Sequence, residues 1–241
     1  MGVFNCDRIL LANSKALAEV LVNRSYEFPK PEGGRAFLRR SIGDGLVVAE
    51  GVHHKKQRKH SLPCFAFRQI KGLYPLFWEK AVKMTKVIEA SAFSGANLVS
   101  NLDGKLVGVT DIDYWVPKAT LDIIGVAGLG RDFNTLENSH DKIAQLYEAL
   151  TRPSTDRRNL AALYLLVGER AANLLCPGAS RHLSKTTREL RALCEQFVRE
   201  KRERLKSSGA EAIDTLASLM NAEVFSDQEL VDQLLTIIAA G

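Results

Sequence analysis

The chain has 241 residues, 46% of them hydrophobic and 25% charged, with 17 glycines and 7 prolines. This is ordinary globular composition and excludes fibrous, low-complexity and disordered classes. The net charge of +5 is mild, no apolar run approaches the roughly 20 residues that span a bilayer, and the start of the chain lacks a signal-peptide pattern.

The segment from Arg8 to Ala12 reads as a short strand. Asn13 or Ser14 then caps a helix to about Val22, with Leu17, Val20 and Leu21 at helical spacing. Pro29, Pro31, Gly33 and Gly34 break the pattern into a loop, and Gly43 and Gly45 mark another turn. The stretch from Val52 to His60 is a very basic helix candidate, ended near Pro63. Helical periodicity returns from Phe67 to Ala90, where Pro75 should kink or split the helix. A hairpin is expected around Asn101 to Gly104.

A longer apolar helix follows near Val116 to Ala127 and closes on Gly125, Gly128 and Gly130. These glycines lack the dinucleotide-binding spacing and follow a helix rather than a strand, so they read as a tightly packed helix end. Residues 139–150 and 157–175 look helical, parted by Pro153, and Cys176 with Pro177 and Gly178 stops the second of them. The softest point of the chain is the loop expected from Pro177 to Ser184. Thr186 with Glu189 reads as a capping box for a helix to about Lys206. A short helix covers 213–222, and Ser226 with Glu229 forms a second capping box. The helix it opens is apolar nearly all round from Leu234 to Ala240, which marks burial on every side. The expectation is that this helix is cut in its middle at Gly241.

The cysteines, Cys6, Cys64, Cys176 and Cys194, form no CxxC pair and have no histidines at zinc spacing. They read as small buried hydrophobes in a reducing environment. His54 and Arg58, four residues apart, share a helix face. Taken alone, that basic helix is as well explained by a solvated surface. It lacks the interleaved aromatics and the flanking motif of a nucleic-acid binder, so no nucleic-acid partner is expected.

Three segments together carry a resemblance. The first runs from Gly45 to Gly51 and continues through His54, Arg58, Pro63 and Phe65. The second runs from Ala119 through Gly130 to Asn134. The third runs from Phe225 to Gly241. In order and spacing they resemble the microsomal, fungal-type cytochrome P-450 family of haem-thiolate monooxygenases, over essentially the whole chain. The fold the resemblance implies is mainly α: the N-terminal-half helices of an incomplete cytochrome P-450 fold, with a few short β-strands. Residues 1–241 would be a single partial domain ending within the long distal helix.

The resemblance also implies a site. His54 and Arg58 would offer donors to the haem propionates, and Ala240 and Gly241 would lie where the distal helix crosses the haem. A flavoprotein reductase would dock through the region of Lys55, Lys56 and Lys59. An apolar small-molecule substrate would be lined by the loop around Arg35 to Val48, by helices near 143–170 and by the start of the distal helix. Microsomal members sit at the endoplasmic reticulum membrane, although this chain shows no anchor. No residue takes a catalytic or metal-ligating role, because none of the four cysteines sits in the family's iron-binding loop. The acid and threonine that relay protons and the Glu-x-x-Arg pair are not found either. The expectation is therefore a monooxygenase-like piece that is inactive alone. The alternative is a non-catalytic helical interaction module or a remnant.

Overall fold

The computed structural model describes residues 9–93, 98–100, 106–138, 141–152, 154–208 and 214–240. Among them the chain is almost wholly helical. Helix α1 (Ser14–Ala18) continues as a π-helical turn (Glu19–Asn23), and is followed by α2 (Glu32–Ile42), α3 (Gly51–Ser61), α4 (Phe67–Gly72) and α5 (Tyr74–Ala92). Strands β1 (Leu98–Ser100) and β2 (Leu106–Gly108) pair antiparallel, with Val99 opposite Val107. Then come α6 (Ile112–Ile124), α7 (Lys142–Thr151), α8 (Thr155–Leu175), α9 (Pro177–Ser208), α10 (Thr215–Asn221) and α11 (Asp227–Ala240). The mainly helical expectation holds.

The core forms around α11. Leu230, Leu234, Leu235 and Ile238 lie on it fully buried, packed with Leu190, Cys194 and Val198 of α9 and with Ile143, Tyr147 and Leu150 of α7. Apolar residues nearly all round a helix leave no solvated face, so the helix must sit inside the others. Its start is fixed by the expected capping box. Ser226 N–H donates to Glu229 Oε2 at 2.8 Å, and Glu229 N–H donates to Ser226 Oγ at 3.3 Å.

Helix α2 lies across α8 and α9. A Cβ at Gly33 would run into the Tyr164 backbone, so only glycine allows this approach. One arginine ties the three helices together. Arg40 Nη1 donates to the Tyr164 hydroxyl at 2.6 Å and also to Asn173. Its Nη2 donates to Ser180 Oγ at 2.7 Å, Ser180 O at 3.0 Å and Ser184 Oγ at 2.6 Å.

A second, smaller cluster joins α5 to α6, with Met84, Val87 and Ile88 against Trp115, Ala119 and Leu136. At the end of α6 the glycines do what close packing requires. Gly130 adopts the left-handed conformation with φ 69°, and a Cβ on Gly125 would sit 2.5 Å from Arg131 O. The buried Asp122 carboxylate then accepts the Thr135 and Leu136 N–H groups at 2.6 and 3.3 Å.

Several expectations are corrected. Residues 9–12 form no strand, and Ile9 and Leu10 are exposed; an extended segment needs a neighbouring strand to satisfy its backbone, and none is beside it among the described residues. The loop expected over Pro177 to Ser184 is helical. Helix α9 starts at Pro177, whose fixed φ suits the first helical position, and turns about 92° from α8. Thr186 therefore lies inside α9 and is buried, not a cap. Pro75 splits the helix as expected, since α4 ends at Gly72 and α5 starts at Tyr74. The expected hairpin turn from Asn101 to Gly104 lies outside the described residues, although the strands that flank it are paired. Cys6 and Gly241 also lie outside them.

Candidate functional site

Helix α3 carries the basic residues. It is polar, so its position comes from hydrogen bonds more than from burial. Gln57 is fully buried and donates to Asp44 O at 3.1 Å, with His53 Nε2 2.8 Å away. This places Gln57 against the turn that follows α2 and sends His54 and Arg58 to neighbouring surface positions.

His54 is half-buried. Its Nδ1 is 2.9 Å from the Tyr26 hydroxyl, and the two rings are 5.6 Å apart. Burial lowers the His54 pKa, and the Lys30 and Arg58 charges lower it further. Arg58 is exposed and has no acidic partner among the described residues. The pair is thus a neutral ring beside an unmatched guanidinium, a donor set suited to an added carboxylate.

The three lysines differ. Lys55 Nζ lies 4.5 Å from the Tyr26 ring centroid, and Lys56 Nζ is 3.7 Å from Glu229 at the start of α11. Lys59 is exposed. Lys56 therefore helps seat α3 on α11. Tyr26, Lys30 and Glu50 carry no motif that points to this site. Glu50 accepts the Lys30 N–H at 2.6 Å and pairs with Arg35, and the Lys30 N–H first, then the two charges, hold its carboxyl below the usual range. Lys30 Nζ reaches Val47 O at 2.6 Å and Ala49 O at 3.0 Å. This group braces the segment from α2 to α3. Nothing local marks it, because its members are 15 to 20 residues apart.

On the other side of α11 a cleft of about 770 Å³ opens between three elements. Phe37, Ser41, Ile42 and Val47 come from α2 and the turn after it. Leu150 and Ala161 come from α7 and α8, and Thr236 and Ala239 from α11. These are the three regions expected to line a substrate. Ala240 is the last residue of α11, one position past Ala239.

The cysteines of the described chain are free, and burial raises the pKa of two of them. Cys64 is raised, and Cys194 is pushed up to about 12. A thiol held protonated is the opposite of the thiolate that ligates haem iron. Cys64 and Cys194 therefore do not suit a metal that needs a thiolate, while the donors on α3 are of the type that binds a carboxylate.

Helices packed around the apolar α11, with a cleft on its flank, define a mainly helical domain with a small-molecule-sized cleft, and sequence comparison gives its family. A profile of the family described as Cytochrome P450 matches residues 3–241, so the chain belongs to that family. Its relatives are fungal. It is 36% identical to Cytochrome P450 monooxygenase FUM15 of Gibberella moniliformis, over 98% of this chain and 39% of that protein. It is 34% identical to Cytochrome P450 monooxygenase sphH of Aspergillus fumigatus, over 99% of this chain and 43% of the relative. Cytochrome P450 monooxygenase ALT8 of Alternaria alternata is also 34% identical, with 43% of its length covered. The chain thus spans about two fifths of the length of these curated relatives.

Proposed function

We propose that these residues form the substrate-facing wall of a haem-dependent monooxygenase, and that the whole protein inserts one oxygen atom from O2 into an apolar organic substrate. The observation that supports this reading is the cleft itself, because α2, the α7 to α8 region and α11 converge on it, with apolar side chains such as Phe37, Ile42, Leu150 and Ala239 beside polar ones. An apolar pocket with a few polar groups is the usual form of a small-molecule site. Haem, when bound, supplies the oxygen chemistry.

The residues of this chain hold and shape. Arg58 offers its guanidinium fork to a haem propionate, and His54, oriented by Tyr26, offers its free ring edge beside it. By the family resemblance, Ala240 at the end of α11 and Gly241 after it in sequence would lie beside the cofactor. The exposed Lys55, Lys56 and Lys59 present positive charge to an acidic flavoprotein reductase. The packed wall of α2 and α11 keeps water from the apolar side of the cleft. Oxygen activation by these 241 residues alone is not expected, for want of a thiolate donor.

The test is a haem titration of the purified chain, with Arg58→Ala beside it. The expected result is weak binding, a carbon monoxide difference spectrum without the thiolate signature, and roughly tenfold weaker binding in the variant, the loss of one charged hydrogen-bonded contact. Tight binding indifferent to Arg58→Ala would overturn the propionate assignment.

A further inference from the structure

The cleft beside α11 carries charge as well as apolar surface. Arg152, Arg157 and Arg158 line it, and no Asp or Glu does. A second cleft, on the far side of the α7–α8 connection, shares Arg152 and Arg157 but is also lined by Glu148 and Asp156. The acids near this connection thus line the other cleft.

The three arginines are not equivalent. Arg152 is exposed and bonds to Glu148 at 2.9 Å within its own helical turn. Arg158 is exposed. Arg157 is half-buried, and its guanidinium makes no hydrogen bond or ion pair among the described residues. Burial lowers its pKa and no neighbouring acid raises it back. A partly desolvated charge without a counterion is unfavourable, and such groups are normally paired. Arg157 also stands in the first turn of α8, whose positive end adds to the attraction for an anion.

We propose that Arg157 anchors a carboxylate of the substrate, so that the cleft takes an apolar carboxylic acid. The hydrocarbon lies against Phe37, Ile42 and Leu150, and the head group meets the guanidinium fork, which matches a carboxylate in two parallel hydrogen bonds. A single half-buried guanidinium balances one charge, which favours a carboxylate over a phosphate monoester carrying nearly two. The assignment rests on the reading of this cleft as a substrate wall.

Isothermal titration of the chain with dodecanoic acid and with 1-dodecanol at neutral pH tests it. The two probes share a chain and differ in the charge. The expected result is that the acid binds about tenfold more tightly than the alcohol, the usual effect of one charge-assisted hydrogen-bonded contact. Arg157→Gln brings the acid down to the affinity of the alcohol and leaves the alcohol unchanged. Arg157→Lys, which keeps the charge but not the fork, retains part of the preference, and Arg170→Gln, at an exposed arginine of α8 that lines neither cleft, retains all of it. Circular dichroism of each variant confirms that α8 is intact. Equal binding of acid and alcohol, or an acid preference that survives Arg157→Gln, overturns the anchor while leaving the cleft as an apolar substrate wall. If neither probe binds the unaltered chain, the anchor and the substrate wall fall together.

Discussion

Around α11 the large apolar side chains of α7, α9 and α11 are covered, whereas along α4 and α5 they face outward: Phe67 is 82% exposed and Trp78 66%. The first region is held mainly by a large apolar core, with ion pairs such as Arg191 with Asp232 set into it. The second is held by the small α5–α6 cluster and by a few ion pairs, Lys80 with Asp132 and Lys83 with Glu137 at 3.2 Å. With so much less apolar burial, the second region leans more heavily on its ion pairs than the first does, and the two should respond to different insults.

The largest contrast comes from removing apolar surface in each region. Leu234→Ala empties a fully buried site and should cost about 3 kcal/mol, while Phe67→Ser should change stability by no more than ~0.5 kcal/mol. Chemical denaturation of the two variants reads the difference; equal effects would erase the comparison. Next in size is Arg40→Ala, which leaves the Tyr164, Asn173, Ser180 and Ser184 groups without their shared donor. The expected cost is about 2 kcal/mol, seen as earlier proteolytic cutting in α2 than in α9.

The smallest effect is on pH dependence and is read most simply in the second region, where two lowered carboxylates sit together. Burial pushes the Asp132 carboxyl up, but the Lys80 ammonium and the Asn134 N–H outweigh it, so its pKa lies below the ordinary 3.8. Glu137, bonded to Asn134 and Lys83, lies below 4.5. Both groups bind fewer protons folded than unfolded, so their stabilisation is present above those ordinary values and is lost as pH falls through the lowered ones. Fluorescence of Trp78 and Trp115 should therefore report loosening of α5 from α6 in acid before far-UV dichroism reports loss of α9 and α11. Simultaneous loss would show that the two regions are one cooperative unit.

Local signals were legible in the sequence and context was not. Ser226 with Glu229 and Thr186 with Glu189 have the same capping signature, yet only the first starts a helix. The difference lies upstream, where Pro177 has already begun α9 and Leu183 and Leu190 continue its buried face. The GxxGxG run was readable because glycine spacing is itself a statement about backbone approach. In the site, His54 and Arg58 were visible as a pair at helical spacing, and the three walls of the cleft were visible through the family resemblance. Tyr26, 28 residues from His54, was not, and neither was Arg40, whose partners lie 124 to 144 residues away. Arg157 is harder still, because its meaning comes from the want of a counterion among the described residues.

Gly43 and Gly45, in the turn between α2 and α3, lie directly on α11. A Cβ at Gly43 would collide with Asp232 Oδ1, and one at Gly45 with Thr236 Oγ1 and the Asp232 carbonyl. Asp232 also accepts the Asp44 N–H at 3.1 Å and pairs with Arg191 of α9. Phe37, Val47 and Thr236, which stand close to this contact, line the cleft. For a lineage drifting toward new substrates, the side chains of the wall are free to vary while the path of the turn is not. Diversification should therefore proceed by repainting the surface at positions such as 37, 47 and 239, with the two glycines inherited unchanged.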